Sequence, residues 1–289
     1  MPVAIVTGAS SGIGRGTALL FAERGYCVCL TGRNTEALEE VMETAIELGS
    51  SKDKLLIVAG DLYEESTARS IVQQTMQQFG RIDSLVNSAG VLVGDPVLKC
   101  PLESYDRVFD VNVRSLIQIT QMALPHIIDA KGTVVNVSSI AGPCAFPGLS
   151  YYCMSKAAVD QFTKCLALEM APHGVRVNAV CPGVIITGMQ QKNAQSEEQY
   201  QMFLRKCSIT HALGRAGTVE EVARAIHFLA GPDSSFTTGD LLKIDGGRGI
   251  MIPSNSQVKI PEESKTTDKN NCTSCKNCVK ATNEVRSSA

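Results

Sequence analysis

Short apolar runs recur along the chain at residues 3–6, 27–30, 55–59, 84–87, 133–137, 175–180 and 241–244. Most are nearly continuous in hydrophobicity and rich in Val, Ile and Leu, as strands buried on both faces are. Between them lie longer stretches with apolar residues at helical spacing, including 15–24, 107–130 and 152–171. Strand alternating with helix predicts βαβ units and an α/β fold, a parallel sheet covered by helices on both faces. Two helix starts carry a capping-box pattern, Ser196 with Gln199 and Thr218 with Glu221, and the second helix is expected to stop at Gly231-Pro232. No repeat or Gly/Ser-rich linker interrupts residues 1–250, so 1–252 reads as one domain. From Pro253 onward Ser, Thr, Asn, Lys and Glu dominate, and 253–289 is expected to be a flexible tail without a core.

With 289 residues, 44% of them hydrophobic, the chain can bury a large α/β core. Its 27 basic and 29 acidic side chains leave a net charge of -2, which argues against nucleic acid or an anionic membrane as partner. The apolar runs fall well short of the ~20 residues that span a bilayer. The N-terminal residues show no basic segment followed by a long apolar core, so no secretion signal is expected. Eight of the eleven cysteines are scattered singly, as reduced thiols packed like small hydrophobes are, and the expected setting is cytoplasmic.

The first strand runs into Gly8-Ala9-Ser10-Ser11-Gly12-Ile13-Gly14 and then a helix. Glycines at such a junction permit a tight turn and close approach of a pyrophosphate, whose charge meets the backbone N–H groups of the helix N-terminus. Ser10 and Ser11 add hydroxyl donors. The spacing G-x-x-x-G-x-G departs from the general G-x-G-x-x-G fingerprint. Beyond the second strand, Gly32-Arg33-Asn34 carries no carboxylate for a ribose 2′-hydroxyl but offers a guanidinium suited to a 2′-phosphate, which favours NADP(H) over NAD(H). Further along, Tyr152 and Lys156 stand one helical turn apart. An ammonium beside a phenol is expected to lower the tyrosine pKa and make it an acid/base near neutral pH.

Taken in order, Thr7-Gly8-x-x-x-Gly12-x-Gly14, Asn87-Ser88-Ala89-Gly90, Asn112, Ser139, Tyr152-x-x-x-Lys156 and Pro182-Gly183 followed by Thr187 resemble the short-chain dehydrogenase/reductase family over about residues 1–250. The resemblance implies a single doubly wound Rossmann-type domain with a seven-stranded parallel sheet. It also implies transfer of hydride between NADP(H) and a carbonyl or secondary alcohol. By the same resemblance Ser139 holds the substrate oxygen and Tyr152 exchanges a proton with it, while Lys156 binds the nicotinamide ribose. Asn112 holds a water leading from Lys156 to solvent. Asp61 and Leu62 meet the adenine, Asn87, Ala89 and Gly90 pass beside the cofactor, and Pro182, Gly183, Ile185 and Thr187 meet the carboxamide. A homotetramer is implied through the helices that carry Leu116, Ile119, Ala123, Phe162, Cys165 and Leu168, positions that equally suit packing on the sheet.

Residues 188–215 correspond to the variable substrate lid, with Tyr200 and Phe203, and Pro143, Ala145, Phe146 and Leu149 suggest apolar walls. Lys131 and His173 make a weak dock for an acyl carrier protein, which puts small or lipophilic carbonyls ahead of 3-oxoacyl thioesters. A dinucleotide-sensing regulator is the non-enzymatic alternative, but it has no need of all four of Asn112, Ser139, Tyr152 and Lys156. Cys272, Cys275 and Cys278 lack the fourth cysteine and proline of an iron–sulfur run, and no histidine lies near to complete a zinc site, so no metal is assigned.

Overall fold

Each of the seven apolar runs forms a strand: β1 Val3–Thr7, β2 Cys27–Gly32, β3 Leu55–Ala59, β4 Ser84–Asn87, β5 Thr133–Val137, β6 Arg176–Pro182 and β7 Leu241–Ile244. The computed structural model describes residues 1–187 and 196–251. All strands are parallel in the order β3-β2-β1-β4-β5-β6-β7. The described helices are α1 Gly12–Glu23, α2 Thr35–Glu47, α3 Glu65–Phe79, α4 Leu102–Phe109, α5 Ser115–Ala130, α6 Ser150–Met170, α7 Glu197–Thr210 and α8 Val219–Ala230. Residues Met1–Met251 form one compact unit. The tail from Pro253 and its three cysteines lie outside the described residues, as do 188–195 of the lid.

Strand alternation sorts the core into two layers. Val6, Leu30, Val86 and Val135 point to the face covered by α1, α2 and α8, where Phe21, Leu38 and Ile226 meet them. Ile5, Cys29, Leu85 and Val134 point to the opposite face, against Ile71, Ile119 and Leu166 of α3, α5 and α6. Each fully buried aliphatic or aromatic side chain stabilises the fold by roughly 1.5–3 kcal/mol. Ser196 caps α7 by accepting from the Gln199 N–H, and Thr218 with Glu221 forms a complete capping box on α8. That helix ends at Ala230 before Gly231, as its sequence predicts.

The stretch 107–130 is not one uniform helix. A π turn at Asp110–Arg114 joins α4 to α5, widening the helix where Asn112 sits. Leu116, Ile119 and Ala123 are buried and Phe162 packs on the core, whereas Cys165 and Leu168 are exposed. Only the last two of these six face outward. Among the described residues, no helix is long and apolar enough to cross a membrane.

At the N-terminal edge of the sheet the polar groups are paired. Asp83 accepts from the Val3 N–H at 2.8 Å and from Arg81 Nε and Nη2 at 2.9 and 2.6 Å. Arg176, opening β6, donates to the carbonyls of Leu229 and Gly231 and to Ser234 Oγ, at 2.7–2.9 Å. Lys131 and His173 lie at this edge too, just before β5 and β6. Within one chain they are therefore at the opposite end of the strands from the glycine turn.

Candidate active site

The strand order reverses between β1 and β4, and the crevice outside the carboxyl ends of such strands is where doubly wound sheets bind ligands. A cavity of about 800 Å³ opens there. Gly8, Ser10, Ser11, Gly12, Ile13, Gly14, Arg33, Asp61, Leu62, Ala89 and Gly90 line it on one side, and Ser139, Tyr152, Lys156, Pro182, Gly183, Ile185 and Thr187 continue it on the other. A shallower depression of about 630 Å³ along α5 holds none of these groups.

The glycine turn fits a dinucleotide. Gly8 and Gly12 have left-handed φ of 67° and 53°, and a Cβ on Gly14 would stand 2.3 Å from the Gly8 carbonyl oxygen. Ser11 at the N-cap makes no side-chain capping bond and the first turn of α1 has no acidic residue, so that helix N-terminus is open to an anion. Thr187 approaches from across the cavity: a Cβ on Gly12 would lie 3.4 Å from its methyl group. Thr7 braces the far wall, its hydroxyl accepting from the Ser88 and Ala89 N–H groups at 2.9 and 3.0 Å. Gly183 is required by close packing, since a Cβ there would meet the Asp245 backbone at 2.9 Å.

Two residues expected at the cofactor turn their side chains to other partners. Asn34 lies outside the cavity lining and caps α2, its Oδ1 accepting from the Ala37 N–H at 3.1 Å. Asn87 points into the sheet, donating from Nδ2 to Thr120 Oγ1 at 3.0 Å and to Asn136 Oδ1 at 2.9 Å. Asn136 donates in turn to Thr163 Oγ1. Both threonine hydroxyls donate to carbonyls of their own helices, Leu116 and Val159. This polar seam joins α5, β4, β5 and α6, and makes Asn87 a scaffold residue. Arg33 does project at the cavity, exposed and without an ion pair among the described residues.

Lys156 is buried, donates from Nζ to the Val137 carbonyl at 2.9 Å, and stands 5.7 Å from the centroid of the Tyr152 ring. Burial lowers its pKa to about 8, against the pull of Asp160 one turn further along α6. Tyr152 corrects the sequence expectation: burial raises its pKa above the ordinary phenol value, with the Ser139 hydroxyl acting in the opposite direction. A charge one turn away is visible in the sequence, whereas desolvation, the larger effect, depends on what folds over the ring. Ser139 Oγ accepts from the Ala141 N–H, while its neighbour Ser138 is buried beneath with its hydroxyl toward the Lys156 carbonyl.

Asn112 is buried with both amide hydrogens engaged, donating to the Val91 carbonyl at 2.9 Å and Ser155 Oγ at 3.0 Å, while its Oδ1 accepts from the Val91 N–H at 2.8 Å. Its side chain is thus a brace between the β4 exit and α6. Sequence reasoning also passed over Asp160, detectable by the same four-residue spacing from Lys156, and Ser155 and Arg248, whose contacts are distant in sequence. Phe146 and Leu149 line the cavity as expected, joined by Tyr200 and Phe203 of α7 and by Arg248 after β7. Pro143 and Ala145 do not line it.

Comparison with known proteins agrees with this arrangement. Residues 8–248 match a family model described as enoyl-(acyl carrier protein) reductase. The chain is 37% identical over 247 residues to a 3-oxoacyl-[acyl-carrier-protein] reductase of Thermotoga maritima, covering 85% of this chain and 96% of the relative. It is 40% identical over 248 residues to the 2-(R)-hydroxypropyl-CoM dehydrogenase of Xanthobacter autotrophicus, covering 84% and 97%. A crystal structure of a Caenorhabditis elegans short-chain dehydrogenase/reductase of unknown function, with cofactor, superposes with a TM-score of 0.83 at 36% identity, covering 87% of this chain and 96% of that one. Similarity of this extent, running through the glycine turn and the Tyr152 helix alike, favours an oxidoreductase over a regulator and settles the family: the chain belongs to the short-chain dehydrogenase/reductases, enzymes that move hydride between a nicotinamide dinucleotide and a carbonyl or alcohol.

Proposed function

We propose that the protein is an NADP(H)-dependent carbonyl reductase, interconverting a ketone or aldehyde with its alcohol. The observation that carries the cofactor preference is Arg33, unpaired at the end of β2 where Gly32 offers no carboxylate to repel a 2′-phosphate. When bound, the dinucleotide supplies or accepts the hydride. Tyr152 gives its proton to the substrate oxygen, and its raised pKa keeps that proton in place at neutral pH, as reduction needs. Ser139 aims a second hydroxyl at the same oxygen, where negative charge develops. Lys156 holds the nicotinamide ribose and, with a pKa of about 8, returns a proton toward Tyr152. Asn112 keeps α6 and the β4 exit in register around them.

The cofactor contacts extend to Gly8, Ser10, Ser11, Gly12, Ile13 and Gly14 at the pyrophosphate, Asp61 and Leu62 at the adenine, and Ala89, Gly90, Pro182, Gly183, Ile185 and Thr187 along the nicotinamide half. The eight described cysteines are free thiols, which supports a reducing, cytoplasmic setting. Exposed Leu168 and Cys165 on α6 support self-association as a homotetramer, to be checked by light scattering.

The test is NADPH oxidation across a panel comprising a 3-oxoacyl thioester, a 1,2-diketone, retinal and a ketosteroid, with NADH in parallel and Tyr152→Phe as control. Turnover with NADPH that disappears in Tyr152→Phe is the expected result. Faster turnover with NADH overturns the cofactor assignment. The 37% identity to a 3-oxoacyl-[acyl-carrier-protein] reductase favours a second reading, a 3-oxoacyl-thioester reductase, which acetoacetyl thioesters preferred over free ketones would support.

A further inference from the structure

Arg248 is a cation on the substrate side of the cavity with no assigned partner. Among the described residues it forms neither an ion pair nor a side-chain hydrogen bond. Unlike Arg33 it is half-buried, its guanidinium carbon 5.1 Å from the centroid of the Phe146 ring, and burial pushes its pKa below the usual arginine value. A charge removed from water is normally matched by a counter-charge. Asp245, three residues before it, attracts the cation without pairing with it: its carboxylate oxygens accept from the Gly247 and Gly249 N–H groups at 3.0 and 2.7 Å, and among the described residues it forms no ion pair with Arg248.

Those bonds also fix where the guanidinium starts. The Arg248 N–H donates to the Asp245 carbonyl at 3.0 Å, and Gly246 and Gly247 take left-handed φ of 57° and 81°, so residues 245–249 form a tight turn. Cys144 Sγ, 3.8 Å from the Gly249 carbonyl, joins that turn to the segment between Ser139 and Tyr152, on which Phe146 also lies. Arg248 thereby lines the cavity that also holds Ser139 and Tyr152, over Phe146 of the segment between them.

We propose that Arg248 determines specificity by binding the carboxylate of the substrate, so that the enzyme reduces oxo acids whose carbonyl faces Tyr152 and Ser139 while the acid end meets Arg248. A carboxylate fits better than a phosphate. One guanidinium offers a planar pair of donors matched to one carboxylate, the Lys156 ammonium is engaged by Val137, and Leu92, Leu149 and Phe203 supply apolar wall for the carbon chain of the acid. The proposal rests on the acid/base reading of Tyr152 given above.

The experiment compares full-length wild type, Arg248→Met and Arg248→Lys with NADPH on pairs differing only in charge, acetoacetate and levulinate against their methyl esters. Wild type should prefer the acids, and Arg248→Met should lose about 30-fold or more in kcat/KM on the acids but no more than about 3-fold on the esters, with partial recovery in Arg248→Lys. Wild-type preference for the esters, or equal losses on both members of a pair, overturns the proposal. Independently of turnover, calorimetric titration of acetoacetate and levulinate into the NADP+ complexes should show binding to wild type that is lost in Arg248→Met. No binding to wild type, or equal binding to both, overturns it as well. NADPH fluorescence titration should give one Kd for all three proteins. Failure of wild type to bind NADPH would instead sink the cofactor reading, and titrating the acids into the free proteins would then decide the role of Arg248.

Discussion

The two edges of the sheet use similar residues to opposite ends. At the N-terminal edge Asp83 binds both arms of Arg81 and the Val3 N–H, and Arg176 joins β6 to the end of α8 through two carbonyls and a hydroxyl. At the C-terminal edge Arg33 and Arg248 have no such partners among the described residues, the α1 N-terminus has no side-chain cap, and Lys156 is buried with its ammonium donating to the Val137 carbonyl and no ion pair among the described residues. Arginine that is saturated by its own chain holds the fold together, and arginine left unsaturated is available to a ligand. Chemistry therefore concentrates where folding has left polar groups unanswered, consistent with low-cost binding by a pre-formed site.

Four substitutions would break or sharpen that contrast. The largest effect is expected from Tyr152→Phe, which should lower kcat for carbonyl reduction by about 10³-fold while thermal unfolding shows an unchanged Tm. Arg176→Met should do the converse, costing about 3 kcal/mol in denaturant unfolding by leaving buried carbonyls unpaired, with NADPH affinity unaltered.

Lys156→Met separates stability from activity. Its folded pKa of about 8 lies below the ordinary 10.5, so between those values the unfolded chain binds the extra proton. The burial penalty is therefore full below pH 8 and fades as pH rises toward 10.5. The variant should be inactive yet more stable than wild type at pH 7 by roughly 1–3 kcal/mol, net of the lost bond to Val137, and the advantage should shrink by pH 10 in paired unfolding curves. An advantage that grows with pH would contradict the assigned direction. The smallest effect belongs to exposed Arg33→Ala, which should weaken NADPH about tenfold in fluorescence titration and leave NADH nearly unchanged.

How legible the molecule was in its sequence follows the range of the interactions involved. The seven strands, the glycine turn and the Tyr152–Lys156 spacing are local patterns, and the structure places them as the sequence predicts. Asn34 and Asn87 show that position in a motif does not tell which way a side chain turns. Asn34 caps the helix it precedes, and Asn87 points at Asn136, forty-nine residues away. The direction of the Tyr152 shift was misjudged for a related reason, since Lys156 is a neighbour in sequence and the burial that dominates is not. Arg248 escaped notice because its proximity to Phe146 spans about a hundred residues of chain.

The Asn87–Asn136 pair has one further consequence. These residues are register partners in β4 and β5, and both face the layer of α5 and α6, where Thr120 and Thr163 receive them. A slip of either strand by one residue would rotate its asparagine onto the opposite face, beside Val86 and Val135 and away from Thr120 and Thr163. The pair acts as a key that admits one alignment, and it locks the two strands whose ends carry Gly90 and Ser139 on opposite sides of the reaction centre.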